Sequence, residues 1–190
     1  MITITEPFAP PRRRLQQKRP AFILAALMLA VPLVPMILDA TLPEREWNPA
    51  ESSSERVIAL TDKGNAIVVE TPQGWEALDQ GDSAILRKDD VRVLVEAFDL
   101  DGRDPEAVTE RLIRLHRIQG ITSALDGGTV AAPDGSLGGR TCVVVTESDS
   151  GTCAFVHDGD VIVSVVSLGT PDQPALPIGE VIELITKDKK

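Results

Sequence analysis

Arg140–Leu168 reads RTCVVVTESDSGTCAFVHDGDVIVSVVSL, and three apolar runs fill it: Arg140–Glu147, Thr152–His157 and Val161–Leu168. The joints between them are short and polar. The second carries Asp158-Gly159, a pair favoured in two-residue turns that need positive φ. Strands joined by so few residues must run antiparallel, because a parallel return needs a crossover of a dozen residues or more. The same stretch holds the chain's two cysteines, Cys142 and Cys153. If Val145 faces Ser150 across the first turn, Cys142 falls opposite Cys153, and a cross-strand disulfide becomes geometrically accessible. Two buried free thiols, or a redox pair near Arg140 and His157, are the alternatives. The C-x-x-C spacing of a redox motif is missing.

Working outward, the preceding sequence repeats the pattern. Ala66–Glu70 is a short apolar strand that ends in Thr71-Pro72-Gln73-Gly74-Trp75, a turn delivering one large ring. Ser83–Arg87 and Val91–Phe98 flank Lys88-Asp89-Asp90 and read as a hairpin. A helix follows, with Asp104 as N-cap, Pro105 at the first helical position and Gly120 as a left-handed stop. Val108, Leu112, Leu115 and Ile118 form its expected apolar stripe, with Arg114 and Arg117 on the polar side and Arg111 at the border. A Gly-rich connection, Asp126–Gly139, holds a short strand at Thr129–Ala132. On the C-terminal side, Pro171, Pro174 and Pro177 form a stiff crossover to an amphipathic helix over Ile178–Ile185 and a polar tail, Lys187–Lys190. Three strands, a helix, three or four strands and a helix define an α+β class, an antiparallel sheet with helices packed on it.

This element order, the Thr71-Pro72-x-Gly74-Trp75 turn after the first strand and the terminal helix resemble the PsbP-like and LpqN-like α/β/α sandwich. Membrane- or lipid-anchored versions of that fold occur in actinobacterial envelopes. The resemblance covers Val57 to Ile185. It implies a non-enzymatic accessory or scaffold role, since the family shares no catalytic residues to transfer. One departure is plain: a PsbP-like photosystem subunit is soluble and lumenal, whereas this chain carries an anchor-like segment.

That segment precedes the domain. Residues 1–40 hold Arg12, Arg13, Arg14, Lys18 and Arg19 against Glu6 and Asp39, a net of +3, which leaves −13 of the chain's −10 total to the other 150 residues. Between the halves lies the uncharged run PAFILAALMLAVPLVPMIL, Pro20–Leu38. As a helix its nineteen residues would extend about 28 Å, close to the hydrocarbon thickness of a bilayer. Pro32 and Pro35 are compatible with a kinked span. Basic residues before the run and none comparable after it place the N-terminus in the cytoplasm and the domain outside. A cleaved signal peptide fits less well, because Leu38 is too large for the position three before a cut after Ala40. A buried core helix is the third reading. The expected organisation is therefore a cytoplasmic N-terminus over 1–19, a single-pass signal anchor over 20–39, a flexible stalk over 40–56 and an extracytoplasmic domain over 57–190. Trp47, in the stalk, is read either as a membrane-interface anchor or as a linker aromatic.

Composition narrows the chemistry. Aromatic residues make up 3% of the chain and the pI is near 4.7, which argues against a nucleic-acid platform. Two cysteines and two histidines, His116 and His157, do not make a zinc module, and both histidines are expected exposed or half-buried. Asp99, Asp101 and Asp104 alternate around Gly102 and offer a weak calcium set, against the plainer reading of a turn and a helix cap. No G-x-S-x-G elbow occurs, and Asp134–Gly139 lacks the Lys-Ser/Thr of a phosphate loop. Arg111, Arg114 and Arg117 could meet an anionic lipid or glycolipid, or stay solvated. No cofactor and no catalytic residue is nominated. The expected role is a non-enzymatic, membrane-anchored accessory or scaffold subunit of a bacterial envelope complex, with other membrane or envelope proteins as partners. A carrier of lipid or cell-wall precursor is the alternative.

Overall fold

A computed structural model describes residues 24, 28, 30, 31, 33, 34, 47–50 and 55–187. The chain divides into two compact units, Met1–Glu44 and Arg45–Lys190. In the first, all six described residues are helical, and Leu24, Met28, Val31, Leu33 and Val34 are exposed. Among the described residues no helix is long and apolar enough to cross a membrane. Most of the 20–39 anchor segment lies outside the described residues, as does the 1–19 N-terminus.

The second unit is built on an antiparallel sheet whose strand order is β1 (Asn48–Pro49), β4 (Glu76–Asp79), β5 (Ser83–Lys88), β6 (Val91–Asp99), β10 (Val161–Gly169), β9 (Ser150–His157), β8 (Gly138–Val145) and β7 (Thr122–Ala131). A second sheet orders β11 (Ile185–Lys187), β3 (Ala66–Thr71) and β2 (Glu55–Leu60), also antiparallel. Two helices, α1 (Pro105–Ile118) and α2 (Ile178–Glu183), complete the unit. The α+β class expected from sequence is what the structure has.

Alternation along β10 shows how the layers form. Val161, Val163 and Val165 point into one core with Val57 and Ala59 of β2, Ile67 and Val69 of β3, Val181 and Ile182 of α2, and Ile185 of β11. Ile162 and Val166 point into another core, with Val108 and Leu112 of α1. A strand buried on both faces reads as a near-continuous apolar run, as Val161–Leu168 does. The small sheet and α2 thus cover one face of the large sheet, and α1 covers the other.

Several local expectations shift. The closing helix is six residues, and the chain then turns back as β11 against β3, so Lys187 is in a strand and not in a polar tail. The Gly-rich connection is mostly strand: β7 spans Thr122–Ala131, with a bulge between Leu125 and Thr129. The β9–β10 turn has Gly159-Asp160 at its centre, one position later than expected. Asp158 Oδ1 accepts the backbone N–H groups of Asp160 and Val161, both at 3.0 Å, which fixes that register. Of the stalk assigned to 40–56, the described residues 47–50, 55 and 56 include strand residues, and the rest lies outside the described residues. Asn48 and Pro49 pair with Ala77 and Glu76, and Ala50 is buried. Trp47 is accounted for here: the Arg87 guanidinium lies 3.8 Å over its ring, and Arg87 Nε also meets Glu76 at 2.5 Å. Other expectations match the structure. Gly74 has φ +78, and the turn sends Trp75 into the core. Asp89, at φ +53, makes the β5–β6 hairpin.

Candidate functional site

Helix α1 is set by its ends. The Asp104 carboxylate accepts the Glu106 N–H at 3.3 Å, and Gly120, at φ +86, lets Ile121 N–H return to His116 O at 2.9 Å. The face buried between those caps is not the stripe expected. Val108, Thr109, Leu112 and His116 are buried, while Leu115 is 41% and Ile118 85% exposed.

His116, expected exposed or half-buried, is completely enclosed. Its Nε2 lies 3.0 Å from Glu96 Oε2 on β6 and 3.4 Å from Ser164 Oγ on β10, and its ring stacks on Phe155 with centroids 6.0 Å apart. Its Nδ1 has no hydrogen-bond partner among the described residues. Serine, histidine and carboxylate together suggest a hydrolytic relay, but a relay needs the serine on one ring nitrogen and the carboxylate on the other. Here both meet the same nitrogen, away from solvent. The cluster serves to fasten α1 to two strands.

Beside it, the first half of α1 and strands β7–β9 enclose a cleft of about 130 Å³. Glu106, Thr109 and Glu110 form its helix wall. Leu125, Gly139, Arg140, Phe155 and His157 form the sheet side. Arg140 Nη2 meets Glu106 Oε1 at 2.9 Å across the mouth. A Cβ on Gly139 would lie 1.9 Å from the Phe155 carbonyl oxygen, so this strand crossing tolerates only glycine.

The aspartates nominated for calcium lie elsewhere. Asp99 and Asp101 line a cleft of about 240 Å³ with Asp62, Asp82, Lys63 and Arg103. Asp99 accepts Lys63 N–H at 2.9 Å and Asn65 Nδ2 at 2.8 Å. Burial pushes its carboxyl upward, but hydrogen bonds from Thr61, Asn65 and the Lys63 backbone outweigh this and hold it below the ordinary carboxylate range. Asp101 is bound by the Lys63 ammonium and by Arg103 Nη2 at 3.1 Å. Its hydrogen bond and charge raise the Lys63 pKa. Asp104 caps α1. The three carboxylates are thus engaged by donors of the chain itself, and among the described residues no group of three or more His, Cys, Asp or Glu side chains could hold a metal ion. The turn-and-cap reading describes them, and the calcium set is not assembled.

Cys142 and Cys153 are joined as a disulfide with Cα atoms 4.8 Å apart. The register is the one expected, Val145 opposite Ser150 and Cys142 opposite Cys153. Both cysteines are fully buried under α1.

Sequence reasoning missed Glu96 and Ser164 as partners of His116. Each interrupts an apolar strand, Val91–Phe98 and Val161–Leu168, but so do Arg92 and Ser167, and the interruptions alone do not single out the pair that meets His116. No protein-family model matches the chain, and no curated protein sequence matches it either.

Proposed function

We propose that this chain is a single-pass membrane-anchored accessory or scaffold subunit of a bacterial envelope complex. Its N-terminus is cytoplasmic, and its α+β domain, read as a PsbP-like sandwich, lies outside. The observation that carries this reading is the charge pattern: five basic residues up to Arg19, then the uncharged Pro20–Leu38 run, then an acidic domain. Two features of the structure support it. The exposed apolar side chains on the helical residues between Leu24 and Val34 suit a lipid environment. A buried disulfide suits an oxidising compartment.

The non-enzymatic role draws support from the His116 cluster, whose shared nitrogen cannot pass a proton from serine to carboxylate. A scaffold reading is favoured over a carrier. The clefts beside α1 and at Asp99, at about 130 and 240 Å³, each fall below the 300–1,000 Å³ of small-molecule sites, and the layer between α1 and the sheet is filled by Leu112, Phe155 and Ile162.

The test is topology together with association. An impermeant protease added to intact spheroplasts should digest the domain, and mild-detergent extraction should bring down a stoichiometric partner. A domain that resists the protease until lysis would overturn the orientation. A chain that elutes alone after in-cell crosslinking would overturn the scaffold role.

A further inference from the structure

Helix α1 presents an organised face to solvent. At 3.6 residues per turn, Arg111, Arg114, Leu115 and Ile118 fall within roughly a 100° arc, with Arg117 beside it. All five are exposed, Ile118 at 85%. That exposure is not the fraying of a helix end. Gly120 N–H bonds Arg117 O at 3.2 Å and Ile121 N–H bonds His116 O, so the last turn is closed. Ile121, partly buried, packs against the core beneath α1, whereas Ile118 does not. Arg114 has one weak partner, Glu110 at 3.8 Å, while Arg111 and Arg117 have no ion pair among the described residues. Three arginines and two exposed aliphatic residues therefore share one ridge, on a domain whose overall charge is strongly negative.

We propose that this ridge docks α1 onto an anionic bilayer surface, with Leu115 and Ile118 entering the headgroup layer and Arg111, Arg114 and Arg117 meeting lipid phosphates. Charge complementarity selects an anionic occupant. The exposed aliphatic residues select a membrane over an acidic protein, because Ile118, at 85% exposure, and Leu115 project from the same helix face as the arginines. Interfacial helices carry this arrangement: aliphatic residues reach inward while long basic side chains stay at phosphate level. The ridge stands on residues of α1 alone and does not depend on the anchor.

The test uses the full chain carrying a fluorophore on Gln119→Cys, which is exposed beside the ridge, or on Asp172→Cys in the exposed loop that leads to α2, on the other face of the large sheet. The native cysteines are bridged and buried, so they do not compete for label. The labelled chain is placed in nanodiscs of brominated phosphatidylcholine with or without phosphatidylglycerol. Bromine should quench the label at 119 and spare the one at 172, and salt at about 0.5 M should relieve the quenching. Replacing all three arginines by Gln should lower the docked-to-free ratio roughly a hundredfold, at about fivefold per arginine. Ile118→Ser should lower it about tenfold or more.

Absent quenching at 119, or equal quenching in uncharged discs and in the triple variant, would overturn the proposal. So would an in-cell crosslink from 119 to an acidic protein combined with silence toward lipid. A chain that does not enter nanodiscs at all refutes the anchor and not the ridge. The ridge is then read by adding anionic vesicles to the free chain, where absence of quenching at 119 overturns it.

Discussion

Replacing Cys142 and Cys153 together by alanine tests the register and the burial of the bridge at once. The bridge closes a loop of sequence separation 11. In the chain-entropy model such a loop contributes about 2.7 kcal/mol, by restricting the unfolded ensemble. The domain has about 145 residues, and unfolding entropy near 2.1 cal/mol/K per residue gives about 0.3 kcal/mol/K. The double variant should therefore melt about 9 °C lower than the parent, followed by calorimetry or circular dichroism in the same detergent. Both cysteines are fully buried beneath α1, which adds a kinetic expectation. Dithiothreitol should leave the native bridge intact over hours and reduce it promptly once denaturant opens the domain. A melting shift under 2 °C, or reduction under native conditions as fast as in a short peptide, would refute the reasoning. The first result would mean that the bridge does not restrain the unfolded chain, and the second that α1 does not cover it.

Asp158 links three elements, accepting two backbone N–H groups of the β9–β10 turn and the ammonium of Lys187 on β11. Burial raises its pKa, but Lys187 and those N–H groups outweigh this, so the folded value is depressed. Its stabilisation is thus complete above the unfolded pKa of about 4 and is lost as pH falls through the lower folded value. Asp158→Asn should cost about 1–2 kcal/mol at pH 7 in urea unfolding, and the cost should shrink toward pH 2; a pH-independent cost would contradict the ion-pair account. His116→Ala should destabilise by about 2–4 kcal/mol by opening a cavity against Phe155, whereas Glu96→Gln, which can still reach Nε2, should cost under about 1 kcal/mol; equal costs in chemical denaturation would show that charge and not packing fastens the helix. Gly139→Ala, with its Cβ driven against the Phe155 carbonyl, should cost about 2 kcal/mol or more, and an unchanged melting temperature would mean that β8 and β9 can part there.

The antiparallel sheet was legible because its strands are dense in β-branched residues and its turns are short. The Val145–Ser150 turn alone set the cysteine register. What escaped was held by weak or distant signals. Strand β4 is four residues, Glu76–Asp79, too short for alternation to show. Strand β7 is polar and glycine-rich, and its pairing comes from β8 and not from its own composition. Strand β11 follows a helix without a breaker, and only long-range pairing with β3 turns Ile185–Lys187 into a strand. The aspartates of the 99–104 segment looked like a ligand set because Lys63 and Asn65, which bind Asp99 and Asp101, lie over thirty residues away in sequence.

The rotation of α1 ties the core to the surface. Heptad-like spacing favours burying Leu115 and Ile118, each worth about 1.5–3 kcal/mol when fully covered. The helix instead buries Thr109 and His116, and leaves His116 Nδ1 without a partner among the described residues, which costs about 1–3 kcal/mol. Glu96 and Ser164 explain how that orientation is held, since both sit on inward-facing positions of adjacent strands β6 and β10 and converge on one imidazole nitrogen. They do not explain why a leucine was not placed at 116 and a polar residue at 118, which would satisfy packing with no buried histidine at all. Local preference and tertiary structure disagree here, and such disagreements concentrate where a surface has a use. The residues displaced outward by the turn of the helix are the two aliphatic members of the arginine ridge. A polar fastening inside and an apolar-basic face outside are therefore two consequences of one choice of helix orientation.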